Sequence, residues 1–95
     1  GPWLFKAVKS FNIPEAIWPT LGRQLFNQFG DLLRDIALLH DNLHVFDSAN
    51  LVPLTPALPR TSGISGDWIN EIHLTKAGYE KVAREWSKDI QFILP

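Results

Sequence analysis

A stretch rich in proline and glycine constrains the fold of this chain more than any other feature. Residues 52–66, VPLTPALPRTSGISG, hold three prolines and two glycines. Proline lacks the backbone N–H that helices and strands use, and glycine weakens both, so no regular element should pass through this stretch. We therefore predict a loop over residues 52–74, with the regular structure before and after it. A loop of this length is typical of functional or mobile segments.

Two longer segments on either side of the loop have the spacing of amphipathic helices. Over residues 20–40, apolar side chains recur every three or four positions, at Leu21, Leu25, Phe26, Phe29, Leu32, Leu33, Ile36 and Leu39. Residues 75–92 repeat the pattern, with Thr75 as a suitable N-cap and with apolar positions Tyr79, Val82, Ala83, Trp86, Ile90 and Ile93. We predict one helix over each range.

Shorter elements complete the expected fold. Residues 3–11 have the spacing of one or two helical turns, and PEAIW, residues 14–18, predicts a separate turn. The apolar run LHVFD, residues 43–47, predicts one buried, parallel strand. With 95 residues the chain is at most one domain. We expect an α/β segment that is mainly helical, with the single strand at 43–47.

Composition excludes several classes of function. The formal charge is −1 and no Lys/Arg cluster is present, so a nucleic-acid partner is not expected. No apolar run approaches the roughly 20 residues that span a bilayer. Cysteine is absent, and His40, His44 and His73 lack metal-ligand spacing, so neither a metal nor a cofactor is predicted. Composition leaves the cellular location undetermined.

The strongest indication of chemistry is His73, two residues before the helix cap Thr75. A histidine held there can act as a general base. Asp67, Asn70 and Glu71 could each orient the imidazole, although only a carboxylate also stabilises the imidazolium. The alternative is a hydrogen-bonded structural histidine, with Asp67 or Asn70 making loop bonds and Glu71 solvated.

Two further residue types bear on this site. Trp68 is either a pocket wall or a core side chain. Among the serines, Ser48 follows the predicted strand, but we expect ANLVPLTPALP to form no helix that could supply oxyanion N–H groups. Ser62 and Ser65, within the loop, are placed less well. We therefore predict that the chain alone lacks a nucleophile.

The segment DWINEIHLTKAGYEKVA resembles the last conserved block of the SGNH, or GDSL-type, hydrolases. In one branch this block has the approximate pattern D-W-x-N-E-[IL]-H-P-T-x-x-G-[FY]. The matching positions here are Asp67, Trp68, Asn70, Glu71, His73, Thr75, Gly78 and Tyr79. The resemblance extends more loosely upstream, where the "WL" segment, the long helix and "HVFD" occur in the same order.

The resemblance implies the C-terminal part of a three-layer α/β/α fold and makes His73 the general base of a serine esterase. The family's usual acid stands three residues before the histidine, where this chain has Asn70, so we assign the acid to Asp67. Leu74 replaces a frequent proline. The Gly-Asp-Ser block and the oxyanion-hole blocks are missing. We also interpret the start GPWLF, which has no initiator Met, as a sign of a longer protein.

The sequence thus predicts the C-terminal part of an ester hydrolase, inactive alone, that works with an N-terminal portion of the same domain. The alternative is a non-catalytic helical interaction or oligomerisation domain. Without that N-terminal portion, the apolar faces of both helices would be bare, so we expect the isolated chain to form a homodimer.

Overall fold

A computed structural model describes residues 3–94, and of Trp3 it describes the backbone alone. Helix α1 is Trp3–Ser10, a 3-10 turn is Glu15–Ile17, helix α2 is Trp18–Leu38, the one-turn helix α3 is Ser48–Leu51, and helix α4 is Lys76–Ile93. Within the described residues, β-structure is restricted to two isolated bridges, Ser65 to Trp68 and Trp68 to Leu74. The chain is mainly helical, as predicted, with almost no strand.

The described chain divides into two compact units, one of residues 4–45 and one that includes residues 46–94. In the first unit, Val8 is buried. The rings of Phe5 and Trp18 meet edge to face at 5.4 Å. The indole Nε1 of Trp18 donates a hydrogen bond to the Ile13 carbonyl at 2.8 Å. The start of α2 is therefore attached to the preceding turn.

Helix α2 begins two residues earlier than the spacing of apolar residues predicts. Pro19 lies in its first turn, where a missing N–H costs nothing and the fixed φ favours the helix. No residue of α2 is buried. Its apolar side chains stay largely exposed, by 52% at Leu25, 57% at Phe29 and 54% at Leu32. The predicted apolar face of α2 is thus formed, but no element among the described residues covers it.

The predicted strand at 43–47 is not formed. These five residues belong to no helix or strand. A strand exists only when a second strand pairs with it, because its N–H and C=O groups point sideways to a neighbour. The sequence pattern signals burial and β-propensity, but it does not supply that neighbour.

The second unit contains the loop and α4. Phe46 stacks on Trp86 of α4, with ring centroids 6.3 Å apart and planes within 16°. Val52 and Leu74, at the two ends of the predicted loop, are buried. Contrary to expectation, Ser48–Leu51 form a single helical turn. The turn fits because it ends before Pro53, the first proline of the loop.

Candidate functional site

The start of α4 is held in place by its cap. The Thr75 hydroxyl accepts a hydrogen bond from the Gly78 N–H at 3.1 Å, which is the expected N-cap interaction. The Thr75 N–H in turn donates to the Asp67 carbonyl at 2.8 Å. Gly78 is buried against the same residue, since a Cβ there would lie 2.7 Å from the Asp67 carbonyl oxygen. The first turn of α4 therefore packs directly on the backbone of Asp67.

Asp67 is only 6% exposed and joins three parts of the second unit. One carboxylate oxygen, Oδ2, accepts from Lys81 Nζ of α4 and from the Thr55 N–H, each at 2.6 Å. The Asp67 N–H donates to the Thr55 carbonyl at 3.0 Å. The Lys81 ammonium and then the Thr55 N–H hold the pKa of Asp67 below its usual value, which desolvation opposes.

Gly66 allows the chain to approach Thr55 this closely. Its φ is +56°, in the left-handed region that glycine adopts without strain. A Cβ at this position would lie 2.7 Å from the Thr55 carbonyl oxygen and would also collide with the Pro56 carbonyl. The glycine is required both by the backbone angle and by the contact.

His73 lies on the exposed side of the same loop and is held by Asn70. The Oδ1 atom of Asn70 accepts from the backbone N–H groups of Ile72 at 3.0 Å and His73 at 2.9 Å. The same oxygen is 3.1 Å from the His73 Nδ1 atom. The His73 carbonyl accepts from the Ile69 N–H at 2.9 Å. The loop thus closes around the Asn70 side chain and positions the imidazole.

Two of the three side chains proposed as partners of His73, those of Asp67 and Asn70, therefore have different roles in this structure. The carboxylate of Asp67, which the sequence analysis assigns to the imidazole, bonds to Lys81 and Thr55. The side chain on Nδ1 is the amide of Asn70. The physical reason is burial, because a desolvated carboxylate requires a cation and N–H donors close by.

An open groove of about 390 Å³ lies beside this loop. Trp68 lines it, together with three other candidate residues from the sequence, Ser62, Asn70 and Glu71. The remaining lining residues are Ala57, Leu58, Thr61, Gly63 and Ile69. Its size is that of a small-molecule site. Hydrogen bonds within the loop support its wall, from the Leu58 N–H to the Ser65 hydroxyl at 2.9 Å and from the Thr61 hydroxyl to the Leu58 carbonyl at 2.7 Å.

Sequence reasoning missed Lys81. It stands fourteen residues after Asp67, and charged residues on a helix are expected on the solvent side. A signal was nevertheless present, because Lys81 lies three residues after Gly78 and so shares its helix face. A glycine in a first helical turn suggests close packing on that face.

Among residues 3–94, no group of three or more His, Cys, Asp or Glu side chains is arranged to hold a metal ion. The helices described there also lack any apolar segment long enough to cross a bilayer.

Comparison with known proteins found no match: no family model, no curated protein and no solved structure is significantly similar to this chain.

Proposed function

We propose that this chain is the C-terminal part of an SGNH-type serine ester hydrolase, within a three-layer α/β/α domain, and that His73 is its general base. The observation that carries the proposal is the position of the imidazole. His73 lies two residues before the N-cap of α4, and its Nδ1 faces the side chain of the third residue before it. That is the position of the acid in the family that the block resembles.

In this proposal His73 accepts the proton of a serine hydroxyl as the hydroxyl attacks the ester carbonyl, and then protonates the leaving alcohol. The serine and the oxyanion donors come from an N-terminal portion of the same domain. The groove beside Trp68 would receive part of the ester. No cofactor enters the reaction.

The test uses the longer protein that carries this segment after a Gly-Asp-Ser block. Replacing the base of a catalytic unit that acts together lowers turnover by several orders of magnitude, so His73→Ala should reduce hydrolysis of p-nitrophenyl acetate by about 10³-fold or more. His40→Ala, in the first unit, is the matched control and should retain full activity. Activity retained in His73→Ala would refute the proposed base.

A second arm uses the isolated chain and a fluorophosphonate probe, which labels activated serines. We expect no labelling of Ser48, because α3 is a single turn and a catalytic serine needs both a base and oxyanion donors. Labelling of Ser48 would contradict the proposal that the nucleophile lies in another portion of the protein.

The alternative function is a non-catalytic helical interaction domain. It is favoured by α2, which buries no residue and exposes its apolar face. An exposed apolar face of this extent is typical of an interaction surface. The parent sequence separates the two proposals, since a Gly-Asp-Ser block after an early strand favours the hydrolase and its absence favours the interaction domain.

A further inference from the structure

The amide oxygen of Asn70 accepts from two backbone N–H groups, and this determines which way the amide points. The N–H groups of Ile72 and His73 lie 3.0 and 2.9 Å from Oδ1. If the amide were rotated by 180°, its NH₂ group would face both N–H donors, and donors do not bond to each other. The two backbone donors therefore fix the orientation of the amide.

The orientation of the amide in turn selects the tautomer of His73. The Nδ1 atom of the ring lies 3.1 Å from the same oxygen. An oxygen that only accepts can bond to Nδ1 only if Nδ1 carries a hydrogen. In a neutral imidazole, one nitrogen carries the hydrogen and the other keeps its lone pair, so Nε2 is then the basic atom.

We propose that Asn70 is a positioning residue that holds neutral His73 as the Nδ1–H tautomer and so makes Nε2 the proton-accepting atom. This deepens the proposed function and rests on it for its catalytic meaning. The hydrogen bond persists when Nε2 takes up a proton, because both nitrogens are donors in the imidazolium. The amide carries no charge, however, and so supplies orientation without the charge stabilisation that a carboxylate would add.

The experiment measures the tautomer directly in the isolated chain. Two-bond ¹H–¹⁵N correlation spectra, recorded at a pH where the imidazole is neutral, distinguish Nδ1–H from Nε2–H, and loss of the signals in His73→Gln assigns them. We expect Nδ1–H to be the major form in the unmodified chain. Asn70→Ala should shift the population toward Nε2–H, whereas Asn70→Asp, which retains an accepting oxygen, should keep Nδ1–H.

Asn70→Ala also deprives two backbone N–H groups of their acceptor, so loss of loop structure has to be separated from loss of the tautomer. Asn70→Asp makes this separation, since it restores an acceptor for all three donors. Asn50→Ala is the matched control, because Asn50 is an exposed asparagine that bonds to Asp47 three residues away, and it should leave the His73 tautomer unchanged.

The proposal would be overturned by a major Nε2–H form in the unmodified chain, by an unchanged tautomer in Asn70→Ala, or by Nε2–H in Asn70→Asp. The measurement involves no ester and no turnover. A failure of the hydrolase assignment would therefore leave the tautomer result intact, and a failure of the tautomer assignment would leave hydrolysis to be decided by His73→Ala.

Discussion

At the scale of single residues, Asp67 and Asn70 show how burial divides roles between two polar side chains of one loop. The Asp67 carboxylate is buried and is paired with Lys81 at 2.6 Å, because an unpaired buried charge is strongly unfavourable. Asn70 carries no charge and needs no cation, so it can serve the more exposed His73. In this structure the carboxylate of Asp67 therefore holds the loop through Lys81 and Thr55, and the amide of Asn70 holds the imidazole of His73.

The pair of Asp67 and Lys81 leads to a prediction about how the stability of the protein depends on pH. The pKa of Asp67 is lowered from the ordinary value of 3.8, so the folded protein holds this carboxylate ionised more strongly than the unfolded chain does. The group therefore contributes stability above about pH 4, and that contribution is lost as the pH falls through the lower folded pKa. Urea unfolding should show Asp67→Asn less stable than the unmodified chain at neutral pH, with the difference shrinking in strong acid.

Asp31→Asn provides a matched control for the acid experiment. Asp31 also pairs with a cation, Arg34 at 2.7 Å, but its side chain is 69% exposed. Exposed pairs of this kind contribute little to stability, so this variant should follow the unmodified chain at every pH. A difference between the unmodified chain and Asp67→Asn that is constant with pH would rule out the ionised carboxylate as its origin.

At the scale of elements, helices α2 and α4 have similar apolar spacing but different surroundings. The first turn of α4 is fastened by Thr75 and packed through Gly78 onto Asp67. Helix α2 buries no residue. The same substitution should therefore have opposite effects in the two helices, because in α4 tertiary contacts dominate and in α2 intrinsic helix propensity does.

Glycine-to-alanine changes test this contrast. In Gly78→Ala the new methyl would lie 2.7 Å from the Asp67 carbonyl oxygen and 3.0 Å from the Leu74 Cβ, so we expect a loss of about 1 to 3 kcal/mol in the free energy of unfolding. In Gly22→Ala the methyl meets nothing within 4 Å, so the better helix propensity of alanine should add up to about 1 kcal/mol. Urea unfolding measures both, and a stabilised Gly78→Ala would contradict the packing described at Asp67.

At the scale of the whole molecule, the exposed apolar face of α2 is the dominant feature. Large side chains such as Phe26, at 65% exposed, and Phe29, at 57%, lie along it. Covering one such side chain contributes roughly 1.5 to 3 kcal/mol. In the proposed hydrolase, the N-terminal portion of the domain would cover this face. The same reasoning supports the expectation of a homodimer for the isolated chain.

Sedimentation velocity at micromolar concentration tests self-association of the isolated chain. We expect a homodimer, and Phe29→Glu should raise its dissociation constant by about tenfold or more, since each 1.4 kcal/mol corresponds to a factor of ten. Asn27→Glu introduces the same charge on the side of α2 opposite Phe29 and should leave the dimer intact. A cooperatively folding monomer would contradict the prediction and would favour an autonomous interaction domain.

The sequence by itself determined the local features of this protein. The spacing of apolar residues located α2 and α4, Thr75 marked the start of α4, and the prolines located the long loop. These features are predictable because helix periodicity, capping and the absence of an N–H in proline all act within a few residues of the chain.

Only the tertiary structure decided which groups meet. Residues 43–47 have the composition of a strand but form none, since pairing depends on a partner elsewhere. Lys81 binds Asp67 across fourteen residues, and Asn70 rather than Asp67 faces Nδ1 of His73. The reason is that burial and hydrogen-bond partners are properties of the folded surroundings. The sequence around His73 can therefore identify the candidate residues of a site. Burial in the folded protein decides which of them bonds to Lys81 and which bonds to the imidazole.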